Sequence, residues 1–237
     1  SCRKRRSRQG TLAHCPGCRF SGVMIFLAGQ LAEPPLIAIL RGIQPEEVLA
    51  IGHALYEAGF RIIEIPLNSP QPLESIQKLA EVFRDRALIG AGTVMAPVEV
   101  DRIAAAGGRL IVMPHSNPEI IRQTKTKDLI SLPGVATPTE AFTALAHGAD
   151  GLKMFPGETL PPTVVKAWRA VLPPDCGLFP VGGISPVKMA AYIAAGASGF
   201  GLGSSLYQPG LSAAQVGERA AEIIAAWKAI GTQQPFR

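Results

Sequence analysis

From residue 36 onward the chain alternates short apolar runs with longer amphipathic stretches, and each kind keeps its own period. Strand-length apolar runs fall at residues 36–40, 61–66, 87–90, 110–113, 129–132, 151–155, 177–181 and 199–203. Between them the spacing predicts helices that include 45–58, 97–106, 118–125, 138–147, 161–171 and 186–195. Proline recurs at the first turn of these segments, where its missing N–H leaves no bond unmade. Several end in a small residue and glycine, as at Ala58-Gly59, Ala106-Gly107, His147-Gly148 and Ala195-Gly196, a left-handed cap before the next strand. Eight strand–helix units with no domain-sized gap predict an α/β fold, a closed (β/α)8 TIM barrel. A doubly wound open sheet is the alternative that the pattern leaves standing.

Composition supports this reading and relocates the charge. Hydrophobic residues make up 47% of the 237-residue chain and charged residues 17%, which suits strands covered on both faces. The net charge of +5 suggests a nucleic-acid partner until it is located. Arg3, Lys4, Arg5, Arg6, Arg8 and Arg19 carry it; without these six, the 23 basic residues become 17 against 18 acidic ones. Residues 1–33 therefore read as a disordered N-terminal extension and 34–237 as one catalytic domain, with no nucleic-acid partner expected. Cys15-Pro-Gly-Cys18 has the spacing of half a zinc site, but no second pair follows, so no metal is expected. The apolar run after this basic start is too short and broken for a signal peptide, and Met24 is the natural initiator. No apolar stretch approaches the roughly 20 residues that cross a bilayer. Cys176 alone in the body gives no disulfide framework, and a reducing, cytoplasmic compartment is expected.

In a barrel of this kind the chemistry sits at the C-terminal ends of the strands. Strand alternation sets Leu152 and Met154 on one face and Lys153 on the other, so Lys153 points into the barrel mouth. Desolvation there would supply a neutral amine able to attack a ketone. By the same count Ile63 and Ile65 cover the outer face while Glu64 shares the interior with Lys153. A structural ion pair is the competing account of both residues. Arg41 at the end of the first strand could grip a carboxylate, or be a solvated loop cation; Thr93 after the third could contact substrate or cap a helix. Gly182-Gly183 after the seventh strand and Gly203-Ser204 after the eighth occupy the position where barrels bind phosphate.

Five segments carry a further likeness: Leu36 to Gly42, Glu64 to Pro70, Gly90 to Val94, Leu152 to Pro156 and Val181 to Ile184. Together they resemble the KDPG/KHG aldolase family, over about Pro34 to Ala226. The resemblance implies that Lys153 forms a Schiff base with a 2-keto acid and that Glu64 is the general acid/base, with no cofactor. It implies Arg41, Thr93 and Asn68 as substrate contacts, Pro114 and Phe155 as pocket lining, and Gly182, Gly183, Gly203 and Ser204 as phosphate contacts. A homotrimer follows from the resemblance alone. Asn68 stands where gluconate-type relatives typically carry arginine, and they lack the Leu40-Arg41-Gly42 pattern. That implies a phosphorylated galactonate-type keto acid, cleaved to pyruvate and D-glyceraldehyde 3-phosphate, with the gluconate epimer as the alternative. A phosphosugar isomerase or epimerase, or a non-catalytic sugar-phosphate sensor, are the readings outside this class.

Overall fold

The computed structural model describes residues 34–231. Cys15 and Cys18, Met24 and the rest of the segment 1–33, read above as an extension, lie outside the described residues. Within the described residues, strands and helices alternate: β1 (Leu36–Ile39), α1 (Val48–Ala58), β2 (Ile62–Pro66), α2 (Pro72–Phe83), β3 (Leu88–Gly92), α3 (Pro97–Ala105), β4 (Leu110–Val112) and α4 (Pro118–Thr126). The chain continues through β5 (Ile130–Leu132), β6 (Gly134–Val135), α5 (Pro138–Ala146), β7 (Gly151–Met154), α6 (Pro162–Arg169), β8 (Gly177–Pro180), α7 (Pro186–Ala194), β9 (Phe200–Leu202) and α8 (Ala213–Gly231).

All the strand pairs run parallel, in the orders β5-β4-β3-β2-β1-β9 and β6-β7-β8. A parallel bridge between Val181 and Gly201 joins β8 to β9 at one seam. At the other seam Pro133 alone separates β5 from β6, and Asp150 N–H donates to the Ser131 carbonyl at 3.0 Å. The result is an α/β fold whose parallel sheet curls round on itself.

The fifth strand, expected over residues 129–132, runs from Ile130 to Leu132, and beyond Pro133, which has no N–H to place in a ladder, lies a short strand β6 that the pattern did not predict. The Pro133 carbonyl still accepts from Lys153 N–H at 2.9 Å and keeps the neighbouring strand in line. The first helix starts at Val48 rather than at Pro45. Before it, the Glu47 carboxylate accepts from Gln44 N–H at 3.2 Å and from the Tyr207 hydroxyl at 2.6 Å. Two helices, α2 and α8, lie outside the six read from the pattern.

Proline occupies the start of six of the eight helices, from Pro72 to Pro186. Asn117 caps α4 by accepting from Glu119 N–H at 2.8 Å, and Thr137 with Glu140 caps α5 reciprocally. The expected left-handed glycines close their helices at Gly59, Gly107, Gly148 and Gly196.

Alternation along the strands divides the apolar residues into two cores. Leu36, Ala38, Ile63, Ile65, Leu152 and Met154 face outward and pack with the helices. Ile37, Ile39, Ile62, Leu88, Leu110 and Phe179 face inward with residues of β4, β5 and the end of β8. The inner core is filled by matching large residues with glycines. A β-carbon at Gly177 would lie 2.8 Å from the Phe179 ring, one at Gly199 3.0 Å and one at Gly151 3.2 Å. The ring therefore plugs the N-terminal end of the curled sheet, in space that three missing side chains leave open.

Because this ring has no replacement, Phe179→Ala should leave a cavity the strands cannot collapse and destabilise the fold by about 3–5 kcal/mol. Urea unfolding followed by fluorescence and far-ultraviolet dichroism reads this as a lower midpoint. A change below about 0.5 kcal/mol would show that the plug carries no packing energy.

Candidate active site

Beside Phe179, which is in register with Lys153, the inward-facing positions include two ionisable side chains. On β2, Glu64 points inward and is buried, with 1% of its surface exposed; on β7, Lys153 points inward with 5% exposed. Glu64 fits because the end of the neighbouring strand is bare: a β-carbon at Gly92, the last residue of β3, would run into its carboxylate. One carboxylate oxygen, Oε2, is buried without a hydrogen-bond partner. The Lys153 ammonium nitrogen sits 5.0 Å from the centroid of the Phe155 ring.

Burial acts on both groups in the direction of neutrality. It pushes the Lys153 amine below the usual lysine range, an effect opposed by the Glu64 carboxylate and reinforced by the Arg41 guanidinium. Burial likewise pushes the Glu64 carboxyl above the usual carboxylate range, opposed by the charges of Lys153 and Arg41. A neutral amine and a carboxyl poised to give or take a proton are the two forms that imine chemistry needs. A purely structural ion pair would settle as two charges with every acceptor bonded, and the bare Oε2 departs from that.

Three loops converge beside this pair. Arg41, just beyond β1, donates through Nη1 to Asn68 Oδ1 at 2.5 Å and through Nη2 to Thr93 Oγ1 at 3.3 Å. The guanidinium is thus oriented by two neutral acceptors, and its remaining N–H groups are left for an anion. Thr93 has φ 57, a left-handed conformation that a β-branched residue adopts only against strain. It does not cap α3, where Glu99 instead accepts from Met95 N–H at 2.7 Å and Ala96 N–H at 3.0 Å. Ser69, which the sequence reading passed over, accepts from Gly42 N–H at 2.9 Å and ties the Arg41 loop to the Asn68 loop. Its signal was adjacency to Asn68 in the motif, but a serine in a loop has too many ordinary uses to stand out.

On the other side, Pro114 follows β4 and touches β6: a β-carbon at Gly134 would lie 2.5 Å from the Pro114 carbonyl. Gly134 is in register with Lys153, so Pro114 borders the same interior. Gly182 and Gly183 follow β8 with φ 112 and 63, conformations that point backbone N–H groups where a side-chain-bearing residue could not. A β-carbon at Gly203, beyond β9, meets nothing within 4 Å, and Ser204 beside it is exposed. Neighbouring Ser205 holds a buried hydroxyl oxygen without a partner. The candidate catalytic, substrate-binding and phosphate-binding residues lie on or just beyond the C-terminal halves of the strands. Among the described residues, no three His, Cys, Asp or Glu side chains gather as a metal site would require.

A sequence profile described as KDPG and KHG aldolase matches residues 27–221. The chain belongs to the KDPG/KHG aldolase family. Among its relatives, a protein of Rhizobium meliloti (strain 1021), named probable 2-dehydro-3-deoxy-6-phosphogalactonate aldolase, is 52% identical over 203 residues, covering 85% of this chain and 96% of that one. The solved structure described as native KDPGal is 48% identical, with a TM-score of 0.82 over 84% of this chain and 97% of its own. A KDPG aldolase from Legionella pneumophila, with pyruvate captured as a covalent carbinolamine, is 26% identical with a TM-score of 0.71, covering 92% of this chain and 98% of that one. No helix of this family member, among the described residues, is long and apolar enough to cross a membrane.

The opposed charges on Lys153 set a test of sign. Imine formation needs the neutral amine, so its rate should fall as pH drops through the lowered lysine pKa. Glu64 raises that pKa, so Glu64→Gln should move the acid limb to lower pH; Arg41 lowers it, so Arg41→Gln should move the limb to higher pH. The measurement is the pH dependence of pyruvate trapping by borohydride. Shifts in the same direction for both variants would contradict this electrostatic arrangement.

Proposed function

We propose that the chain is a class I aldolase that cleaves 2-dehydro-3-deoxy-6-phospho-D-galactonate to pyruvate and D-glyceraldehyde 3-phosphate. The observation that carries this is the buried Lys153 amine, held toward its neutral form beside a buried Glu64 with a bare carboxylate oxygen. Membership of the aldolase family and the names of the galactonate-type relatives support the substrate. The same reading takes the two sheet pieces as one closed eight-stranded (β/α)8 barrel, and residues 34–237 as the catalytic domain. It takes the working protein as a cytoplasmic homotrimer, on resemblance.

In the proposed cycle, neutral Lys153 adds to the C2 ketone and forms a carbinolamine, which loses water to give a protonated imine. The imine withdraws electrons from the C3–C4 bond. Glu64, directly or through water, removes the C4 hydroxyl proton as that bond breaks, so the aldehyde leaves and the bonding pair becomes an enamine. Protonation of the enamine at C3 and hydrolysis of the imine release pyruvate and restore the amine. Arg41, oriented by Asn68 and Thr93, is the proposed carboxylate or hydroxyl contact. Pro114 and Phe155 line the pyruvate end, and the backbone of Gly182, Gly183 and Gly203 with Ser204 receives the phosphate.

Incubation with pyruvate and borohydride should attach a three-carbon adduct to Lys153, seen by peptide mass spectrometry. Lys153→Met should abolish adduct and turnover, because a thioether cannot form an imine. Glu64→Gln should retain adduct but lose about 10²–10⁴ of cleavage, the range for a missing proton-transfer group. Trapping at Lys166 or Lys188, or a Lys153→Met protein that still turns over, would remove the mechanism. Absence of any adduct in an active protein would favour an isomerase or epimerase.

Substrate class has its own assay. Of the two C4 epimers of the phosphorylated keto acid, the galactonate type should be cleaved faster; the reverse preference would assign the chain to the gluconate type. Ser204→Asp should weaken the phosphorylated substrate far more than pyruvate, through like-charge repulsion. Equal weakening of both would show that the phosphate binds elsewhere.

A further inference from the structure

Four residues beyond Lys153 the chain begins a short 3₁₀ turn, Gly157–Thr159, whose partner is the Gly182-Gly183 loop. Gly157 N–H donates to the Val181 carbonyl at 2.7 Å. A β-carbon at Gly157 would lie 2.7 Å from the Gly182 carbonyl oxygen and 3.0 Å from that of Val181, so turn and loop touch backbone to backbone. The Glu158 side chain then lies along the two glycines. Its carboxylate occupies the place of a β-carbon at Gly182, and its Cγ would be 2.9 Å from one at Gly183. Behind the turn, the Tyr192 hydroxyl of α7 sits 3.1 Å from the Gly157 carbonyl and 3.2 Å from that of Leu160. On the far side, Lys188 donates to the Gly183 carbonyl at 2.7 Å.

We infer that Glu158 is a positioning residue for the phosphate end of the site: its side chain stands in for those the two glycines lack and holds their loop at a set distance from Lys153. Consecutive glycines with φ 112 and 63 have the largest backbone freedom to lose when an anion orders their N–H groups. A side chain packed along them removes that freedom before substrate arrives, which strengthens binding without touching the ligand. The turn continues directly from the Lys153 strand, so the ketone-binding amine and the phosphate loop share one short rigid path. That path sets how far apart the two ends of a bound substrate lie. The positioning role belongs to the shape of the side chain, because Glu158 is exposed and, among the described residues, forms none of the salt bridges.

The inference rests on the aldolase reading for its kinetics but not for its structural arm. Hydrogen exchange on the unliganded full chain should show the peptide spanning residues 181–185 exchanging faster in Glu158→Ala, with 151–155 unchanged. In turnover, Glu158→Ala should raise KM for the phosphorylated keto acid about tenfold while kcat stays within about twofold, and the rate of pyruvate trapping on Lys153 should not change. Glu158→Gln, which keeps the shape and removes a charge that repels phosphate, should restore exchange to within about twofold of the parent and bring KM to the parent's value or below. Unaltered exchange in Glu158→Ala, a Gln variant as impaired as Ala, or a parallel fall in pyruvate trapping would each overturn the positioning role. If the parent itself traps no pyruvate, the aldolase reading falls, and the exchange result alone decides for or against the strut.

Discussion

A lysine and a glutamate buried in one apolar interior cannot both keep full charge at ordinary cost, and the architecture follows from that constraint. Desolvation disfavours the ammonium and the carboxylate alike, while their mutual attraction favours both. The balance leaves the amine below and the carboxyl above their usual ranges, both shifted toward the neutral form. Arg41 tips it further by standing near the lysine as a second cation, yet its own guanidinium is held by the neutral acceptors Asn68 and Thr93. A carboxylate partner for Arg41 would have cancelled that influence and occupied the donors a substrate anion needs.

An apolar inner core surrounds the pair. Phe179, settled over glycines of its own strand and two others, closes the N-terminal end of the curled sheet. Ile37, Ile39, Ile62 and Leu110 pack with it in the same inner core. Everything beside the pair serves to aim it. Gly92 makes room for the Glu64 carboxylate, the strained Thr93 turns its hydroxyl toward Arg41, and Pro133 lends its carbonyl to the Lys153 backbone. The small residues at Gly92 and Gly182 are therefore space reserved for another residue's side chain.

Periodicity alone determined much of this. The parallel α/β order, the proline-started and glycine-ended helices, and the inward direction of Glu64 and Lys153 are consequences of a two-residue strand repeat and local turn chemistry. Both operate over a few residues and are written in them. The residues that resemble the aldolase motifs lie at strand ends, so their convergence on one edge was legible once the strands were parallel.

What only the tertiary structure decided are the contacts between loops far apart in sequence. The extra strand β6 after Pro133, the start of α1 at Val48, the tie from Ser69 to Gly42 and the packing of Glu158 along Gly182-Gly183 depend on which loops the curl of the sheet brings into touch. No local pattern encodes such a meeting. The lowered basicity of Lys153 is of the same kind: alternation pointed the lysine inward, but desolvation and the neighbouring charges acting on it exist only after distant strands have closed round it.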